Sequence, residues 1–201
     1  MQFKPKKSLG QNFLVDKNII NLIVDLGQIN ENDIIIEVGP GTGNLTNKII
    51  SKNPKKIILI EKDFYLANEL KKKYGNKIEL INEDILKIDD NNFHHEKMIV
   101  FGNLPYNIST QILVKWIKIK NLEKKFKCLI LMFQKEVADR IIANTNSKNY
   151  GRLSIFAKWK MEIKKIKEIN PDSFNPSPKV KSTILIFKPK KNFFELKNSE
   201  N

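Results

Sequence analysis

In the stretch VFGNLPYNIS (residues 100–109) a β-branched and aromatic run stops at Gly102 and gives way to Asn103, Leu104, Pro105 and Tyr106. The Asn103 side-chain oxygen and the Leu104 backbone carbonyl are two acceptors that can take both N–H bonds of an exocyclic amine. An amine such as adenine N6 is a poor nucleophile because its lone pair is delocalised into the ring. Two acceptors on its hydrogens favour a pyramidal nitrogen whose lone pair points at the group to be transferred. Pro105 fixes the backbone that carries these acceptors. Tyr106 offers a ring face for a stacked base, typically worth roughly 1–3 kcal/mol. Taken alone, the tetrapeptide is equally well read as a tight turn, with Asn and Pro chosen for their dihedral angles and Tyr106 packed on the core.

A second group of residues changes that balance. EVGPGTG places Gly39, Gly41 and Gly43 at a predicted strand-to-helix turn, where the lack of a Cβ lets backbone approach a ligand. Three ligand classes compete for such a turn. A P-loop needs Lys followed by Ser or Thr after its last glycine, but Asn44 and Leu45 follow Gly43, which disfavours ATP and GTP. A dinucleotide fingerprint would read GxGxxG, whereas this turn reads GxGxG after Glu37. Glu61 ends the next predicted strand, where a carboxylate can accept from both ribose hydroxyls. Asp84, just beyond the third strand, can accept from an adenine amino group. Either acid alone reads as a solvated strand end; together, beside a glycine turn, they fit a nucleoside without phosphates. S-adenosylmethionine (SAM) is such a molecule, and its positive sulfonium tolerates the acids.

These residues need a scaffold, and the apolar patterning supplies one. A helical stripe runs through DKNIINLIVDLG (16–27), with Asp16 as N-cap and Gly27 as stop. Short apolar runs follow at 34–38, 57–61, 78–82, 98–102 and 128–133, separated by segments suited to helices. Continuous apolar strands alternating with helices predict an α/β fold with a doubly wound, mostly parallel sheet. The last two runs, KMEIKKIKEI and VKSTILIF, are joined by NPDSFNPSPK without a helix, which predicts an antiparallel C-terminal hairpin at one sheet edge. One domain over residues 1–190 and a frayed tail over 191–201 are expected.

Across 201 residues, 36 Lys and Arg oppose 22 acidic residues, a net charge of +14. With 41% hydrophobic residues, this describes a globular protein with a basic surface and a polyanion as its natural partner, although lysine-rich compositional drift supplies part of the charge. No apolar window reaches membrane-spanning length and the N-terminus lacks a signal-peptide core, so a soluble cytoplasmic protein is expected. Cys128, the only cysteine, lies within CLILMF and reads as a buried apolar residue. His94 and His95 read as surface loop residues, and no ligand set with metal spacing surrounds them.

The blocks SLGQNFL (8–14), EVGPGTGNLT (37–46), GNLPYNIST (102–110), QKEVADR (134–140), NSKNYGRLS (146–154) and FNPSPKVKS (174–182) together resemble the small-subunit rRNA adenine N6,N6-dimethyltransferases over nearly the whole chain. The resemblance implies a Rossmann-like class I SAM-dependent methyltransferase. Its expected reaction is dimethylation of N6 on each of two adjacent adenosines in the 3′-terminal hairpin loop of 16S rRNA, within the 30S subunit or its precursor, by a monomer. By motif match it implies that Asn12, Leu14, Gly39, Glu61, Asp84 and Asn103 line the SAM pocket, that Tyr106 stacks on the adenine, and that Phe174 is the second aromatic of the clamp. Lys135, Arg140, Lys148 and Arg152 become phosphate-contact candidates.

The family usually continues into a small arginine-rich helical domain, and the chain departs from it there. A large-subunit rRNA methyltransferase of the macrolide-resistance type is the related alternative, set against the QKEVADR and YGRLS blocks. DNA adenine methyltransferases tend to carry two prolines in the tetrapeptide, where this chain has Leu104. A non-catalytic small-subunit assembly factor is the alternative from another class.

Overall fold

The computed structural model describes residues 5–6, 9–89 and 97–193. In chain order its elements are β1 (Phe13–Leu14), α1 (Lys17–Leu26), β2 (Ile34–Val38), α2 (Asn44–Ile50), β3 (Lys56–Ile60), α3 (Phe64–Tyr74), β4 (Glu79–Ile81) and β5 (Met98–Asn103). There follow α4 (Ser109–Lys118), α5 (Leu122–Lys125), β6 (Phe126–Gln134), α6 (Lys135–Ile142), α7 (Arg152–Lys160), β7 (Met161–Ile169), β8 (Phe174–Asn175) and β9 (Ser182–Pro189).

Seven strands make the main sheet in the order β4-β3-β2-β5-β6-β9-β7. The first five are parallel, and β9 runs antiparallel to both β6 and β7. Strand order reverses between β2 and β5, with β3 on one side and β6 on the other, which opens a crevice at the carboxyl ends of β2 and β5. Both sheet faces are covered because side chains alternate along each strand. Ile35 and Ile99 point into the layer made by α1, α2 and α3, while Ile36 and Val100 point into the layer made by α4, α6 and α7. Asp16 caps α1 as expected, accepting from the backbone N–H groups of Asn18 and Ile19. Gly27 ends α1 in right-handed geometry; it stands where a Cβ would lie 2.7 Å from Phe101 Cζ.

Three features depart from the sequence patterning. The predicted C-terminal hairpin exists, but β9 is inserted between β6 and β7, and the long connection folds back to pair β8 with β1 antiparallel. Helix α7 has no apolar stripe to announce it, since the residues it buries are the small Ser154 and Ala157. The start of the supposed frayed tail is anchored: Phe193 packs edge-on against Trp159 at 5.9 Å, with Lys160 Nζ 5.2 Å above its ring. His94 and His95, and tail residues 194–201, lie outside the described residues.

The two margins of the sheet differ. β4 has three residues, whereas β7 has nine, carries the exposed Lys164, Lys165 and Lys167, and slips register between Lys165 and Lys167. Cys128 is buried, and burial pushes its thiol up to about 11, the environment of an inert core residue. No helix among the described residues is long and apolar enough to cross a membrane.

Candidate active site

At the crevice between β2 and β5 lies an open cleft. Its walls bring together Asn12, Gly39, Gly41, Glu61, Asp84, Asn103, Leu104, Pro105 and Tyr106. Leu14 faces an adjoining smaller recess, lined also by Glu37 and Asn44. Gly43 borders neither space. Its missing Cβ makes room for the Tyr74 hydroxyl, which would otherwise be 2.5 Å away and which donates to the Gly43 carbonyl at 2.8 Å. Phe174 also stands apart from the cleft: it is 4% exposed, pairs across β8 with Leu14 of β1, and packs in the core layer beneath.

The glycine turn leaves β2 with Gly39 at φ +67° and Gly41 at φ +58°. The Gly41 N–H donates to Glu61 Oε2 at 3.1 Å, and the Asp63 N–H donates to Glu61 Oε1 at 2.8 Å. Each oxygen of Glu61 therefore keeps acceptor capacity, and its carboxylate is held in place at the end of β3. Burial raises the Glu61 pKa, and those backbone donors pull the other way. Asp84 accepts from the Leu86 N–H at 3.0 Å and from Lys62 Nζ at 3.0 Å. Burial pushes its pKa up, but the Leu86 N–H and Lys62 outweigh it and hold Asp84 below the usual carboxylate range.

The tetrapeptide is pinned at both ends. Pro105 accepts from the Ile108 N–H at 3.1 Å, and the buried Ser109 hydroxyl donates to the Tyr106 carbonyl at 3.1 Å, tying the turn to the start of α4. The Tyr106 hydroxyl lies 2.6 Å from Ser182 Oγ at the start of β9, which fixes the ring as a cleft wall. Asn103 Nδ2 donates to the Asn12 carbonyl at 2.8 Å. That bond sets the amide's orientation and leaves Oδ1 as the acceptor available to the cleft.

Several cleft residues carried no signal in the sequence patterning. Gln11 and Phe13 come from the segment before α1, and Lys62 and Ile85 flank the two acids. Glu37 is 2% exposed and accepts from the Thr46 hydroxyl at 2.7 Å. Burial pushes it up to about 8, against the Thr46 bond and with help from the neighbouring charge of Glu61. Glu37 lines the smaller recess; the sequence marked it only as the acid preceding the GxGxG turn and gave it no role. Of the phosphate-contact candidates, Arg140, Lys148 and Arg152 are exposed. Lys135 instead bridges Asp139 at 2.9 Å and Glu168 at 3.0 Å, so its charge is already matched within the fold. Among the described residues no group of His, Cys, Asp and Glu could hold a metal ion.

A family model described as ribosomal RNA adenine dimethylase matches residues 2–201. A protein of Pelagibacter ubique named ribosomal RNA small subunit methyltransferase A is 52% identical over 201 residues, covering 100% of this chain and 76% of that relative. The crystal structure of a dimethyladenosine transferase from Plasmodium falciparum is 38% identical with a TM-score of 0.79, over 89% of this chain and 64% of that one. The crystal structure of the 23S rRNA methyltransferase ErmE has a TM-score of 0.76 at 24% identity, over 92% of this chain and 72% of that one, a likeness of fold. The chain thus spans between 64% and 76% of the length of these three proteins.

Proposed function

The chain belongs to the ribosomal RNA adenine dimethylase family, and on that premise we infer that it methylates N6 of two adjacent adenosines in the 3′-terminal hairpin loop of 16S rRNA. The particle recognised is the 30S subunit or its precursor, and the enzyme acts as a cytoplasmic monomer whose catalytic domain is residues 1–190. Its methyl donor is S-adenosylmethionine. The observation that carries this reading is the single cleft whose walls hold both the glycine turn with its two acids and the Asn103–Tyr106 tetrapeptide. The 52% identical relative, named for the small subunit, favours that substrate over the large subunit.

The residues fit a nucleoside bearing no phosphate. Gly39 leaves backbone bare at the cleft wall, Gly41 makes room for the Phe13 ring that roofs it, Glu61 keeps lone pairs for ribose hydroxyls, and Asp84 has acceptor capacity for an amino group. S-adenosylmethionine supplies an electrophilic methyl group on a positively charged sulfur. In the first transfer Asn103 Oδ1 and the Leu104 carbonyl accept from the two N–H bonds of the target amine and turn its lone pair toward the cofactor side of the cleft; in the second transfer one of them accepts from the single N–H that remains. Tyr106 stacks on the base and holds that geometry.

The test is transfer of labelled methyl to unmethylated small subunits, followed by nuclease digestion and mass spectrometry to locate dimethyladenosine. Asn103→Ala is expected to lower kcat by about 10²–10³, the usual effect of removing one polar contact to the reacting centre. Full activity in that variant defeats the assigned role of Asn103, and label in large-subunit RNA or DNA defeats the substrate assignment.

A further inference from the structure

The segment before α1 crosses the cleft as a strap, with Leu9, Gly10, Gln11, Asn12 and Phe13 all on its walls. It touches both halves of the site. The Asn12 carbonyl accepts from Asn103 Nδ2, the Leu14 carbonyl accepts from Asn44 Nδ2 at 2.9 Å, and Phe13 lies over Gly41. A Cβ on Gly10 would stand 3.6 Å from Pro105 Cβ, so the strap also rests on the tetrapeptide.

One side chain from behind the far wall, just past Glu61 and Lys62, ties the strap down. Asp63 follows Glu61 by two residues, and its side chain is 0% exposed. Its two oxygens divide their partners. Oδ1 caps α3, accepting from the Tyr65 N–H at 3.0 Å and the Leu66 N–H at 3.4 Å. Oδ2 accepts from Gln11 Nε2 at 3.1 Å and pairs with Lys6 Nζ at 2.9 Å. Gln11 completes the tie, its Oε1 accepting from the Lys6 N–H at 2.7 Å. Meanwhile the Asp63 N–H holds Glu61, so one residue serves the ribose side of the cleft through its backbone and the strap through its carboxylate.

We propose that Asp63 is a positioning residue: by latching Gln11 it holds the strap closed, and the closed strap presents the Asn12 carbonyl that orients the Asn103 amide for the target amine. Among the described residues that carbonyl is the partner that sets which end of the amide faces the cleft, and an amide turned by half a rotation offers the target N–H a donor in place of an acceptor. Asp63 acts on catalysis through Gln11, Asn12 and Asn103, touching none of the reacting atoms itself. The proposal rests on the methyltransferase reading above for its catalytic consequence, and on the strap geometry alone for its structural one.

The test exploits the divided carboxylate. Asp63→Asn keeps an oxygen to cap α3, since Asn caps as well as Asp, but replaces the acceptor facing Gln11 with a donor. Two readouts are taken on the full chain: hydrogen–deuterium exchange of backbone amides in residues 9–14, and steady-state kinetics with SAM and unmethylated small subunits. The expected result is a rise in strap exchange and a fall in kcat, each of roughly tenfold or more, the loss that a charge-assisted hydrogen bond implies. The KM for RNA is expected to stay constant. Gln11→Ala leaves the α3 cap untouched and should reproduce both effects. The double variant Gln11→Glu with Asp63→Asn reverses donor and acceptor, and should return exchange and kcat toward wild type. Unchanged strap exchange in the single variants, unchanged kcat beside an active wild type, or failure of the double variant to recover overturns the proposal. A wild type that transfers no methyl refutes the function instead, and the exchange measurement then decides the latch independently.

Discussion

Substituting Gly41 by alanine tests whether the glycine turn and the strap form one ligand-binding unit. At φ +58° an L-residue pays roughly 1–2 kcal/mol of left-handed backbone strain. The new Cβ would stand 2.6 Å from Phe13 Cδ1, and restoring an ordinary contact of 3.4 Å asks the ring to retreat by about 0.8 Å. Phe13 sits between Asn12 and Leu14, whose carbonyls are bonded at 2.8 and 2.9 Å to Asn103 and Asn44. A retreat of that size carried along the strap stretches both to about 3.6 Å or more, beyond hydrogen-bonding range. SAM that binds only against the strap in its original place must restore both bonds, at about 1 kcal/mol each, which predicts SAM binding weaker by roughly 30-fold.

Gly75→Ala is the control for this experiment. That residue also has a positive φ, +55°, but a Cβ there meets nothing within 4 Å. It should lose stability through backbone strain while keeping SAM affinity. Isothermal titration of both variants, with urea unfolding alongside, separates the effects. Gly41→Ala binding SAM within about twofold of wild type, with stability lost as in Gly75→Ala, refutes the coupling of turn to strap.

Glu37→Gln should flatten the dependence of stability on pH in the absence of ligand. The wild-type carboxyl, pushed up to about 8 by burial, keeps its proton in the fold while the unfolded chain loses it near 4.5. Stability from this group is therefore complete below about pH 4.5 and lost as pH rises through about 8. Urea unfolding at intervals from pH 5 to 9 should show the variant gaining on wild type as pH climbs; parallel curves would remove Glu37 as the source. Tyr106→Ala should retain near-wild-type SAM affinity and lose methyl transfer, while Tyr106→Phe keeps the stacking ring and loses only the 2.6 Å contact with Ser182. Collapse of SAM binding in the alanine variant would put the ring against the cofactor instead of the base.

Much of this architecture was legible in the sequence because it is written in local periodicity. β2 was delimited to the residue, and the α1 cap was named from Asp16 alone. The meeting of the glycine turn, Glu61, Asp84 and the tetrapeptide followed from their shared position after parallel strands, which end on one side of a sheet. What escaped was encoded in contacts across long separations. β1 pairs with β8, and Gln11 reaches Asp63 fifty-two residues away. Helix α7 escaped because its fully buried positions are the small Ser154 and Ala157, while the apolar Leu153 and Phe156 beside them are only partly buried. Phe174 shows that a motif match leaves burial unread: its ring is packed in the core and does not line the cleft, a placement set by the pairing of β8 with β1.

The β7 margin has a consequence for how this protein behaves in a crowded solution. A nine-residue strand that pairs on one side only among the described residues is a template on which another chain could add, and continued addition builds fibres. The slip between Lys165 and Lys167 breaks the even spacing a second strand would need, and the exposed Lys164, Lys165 and Lys167 crowd like charges at the centre of a self-pairing through the middle of the strand. The same cationic residues that raise the overall charge thus double as a guard against self-association.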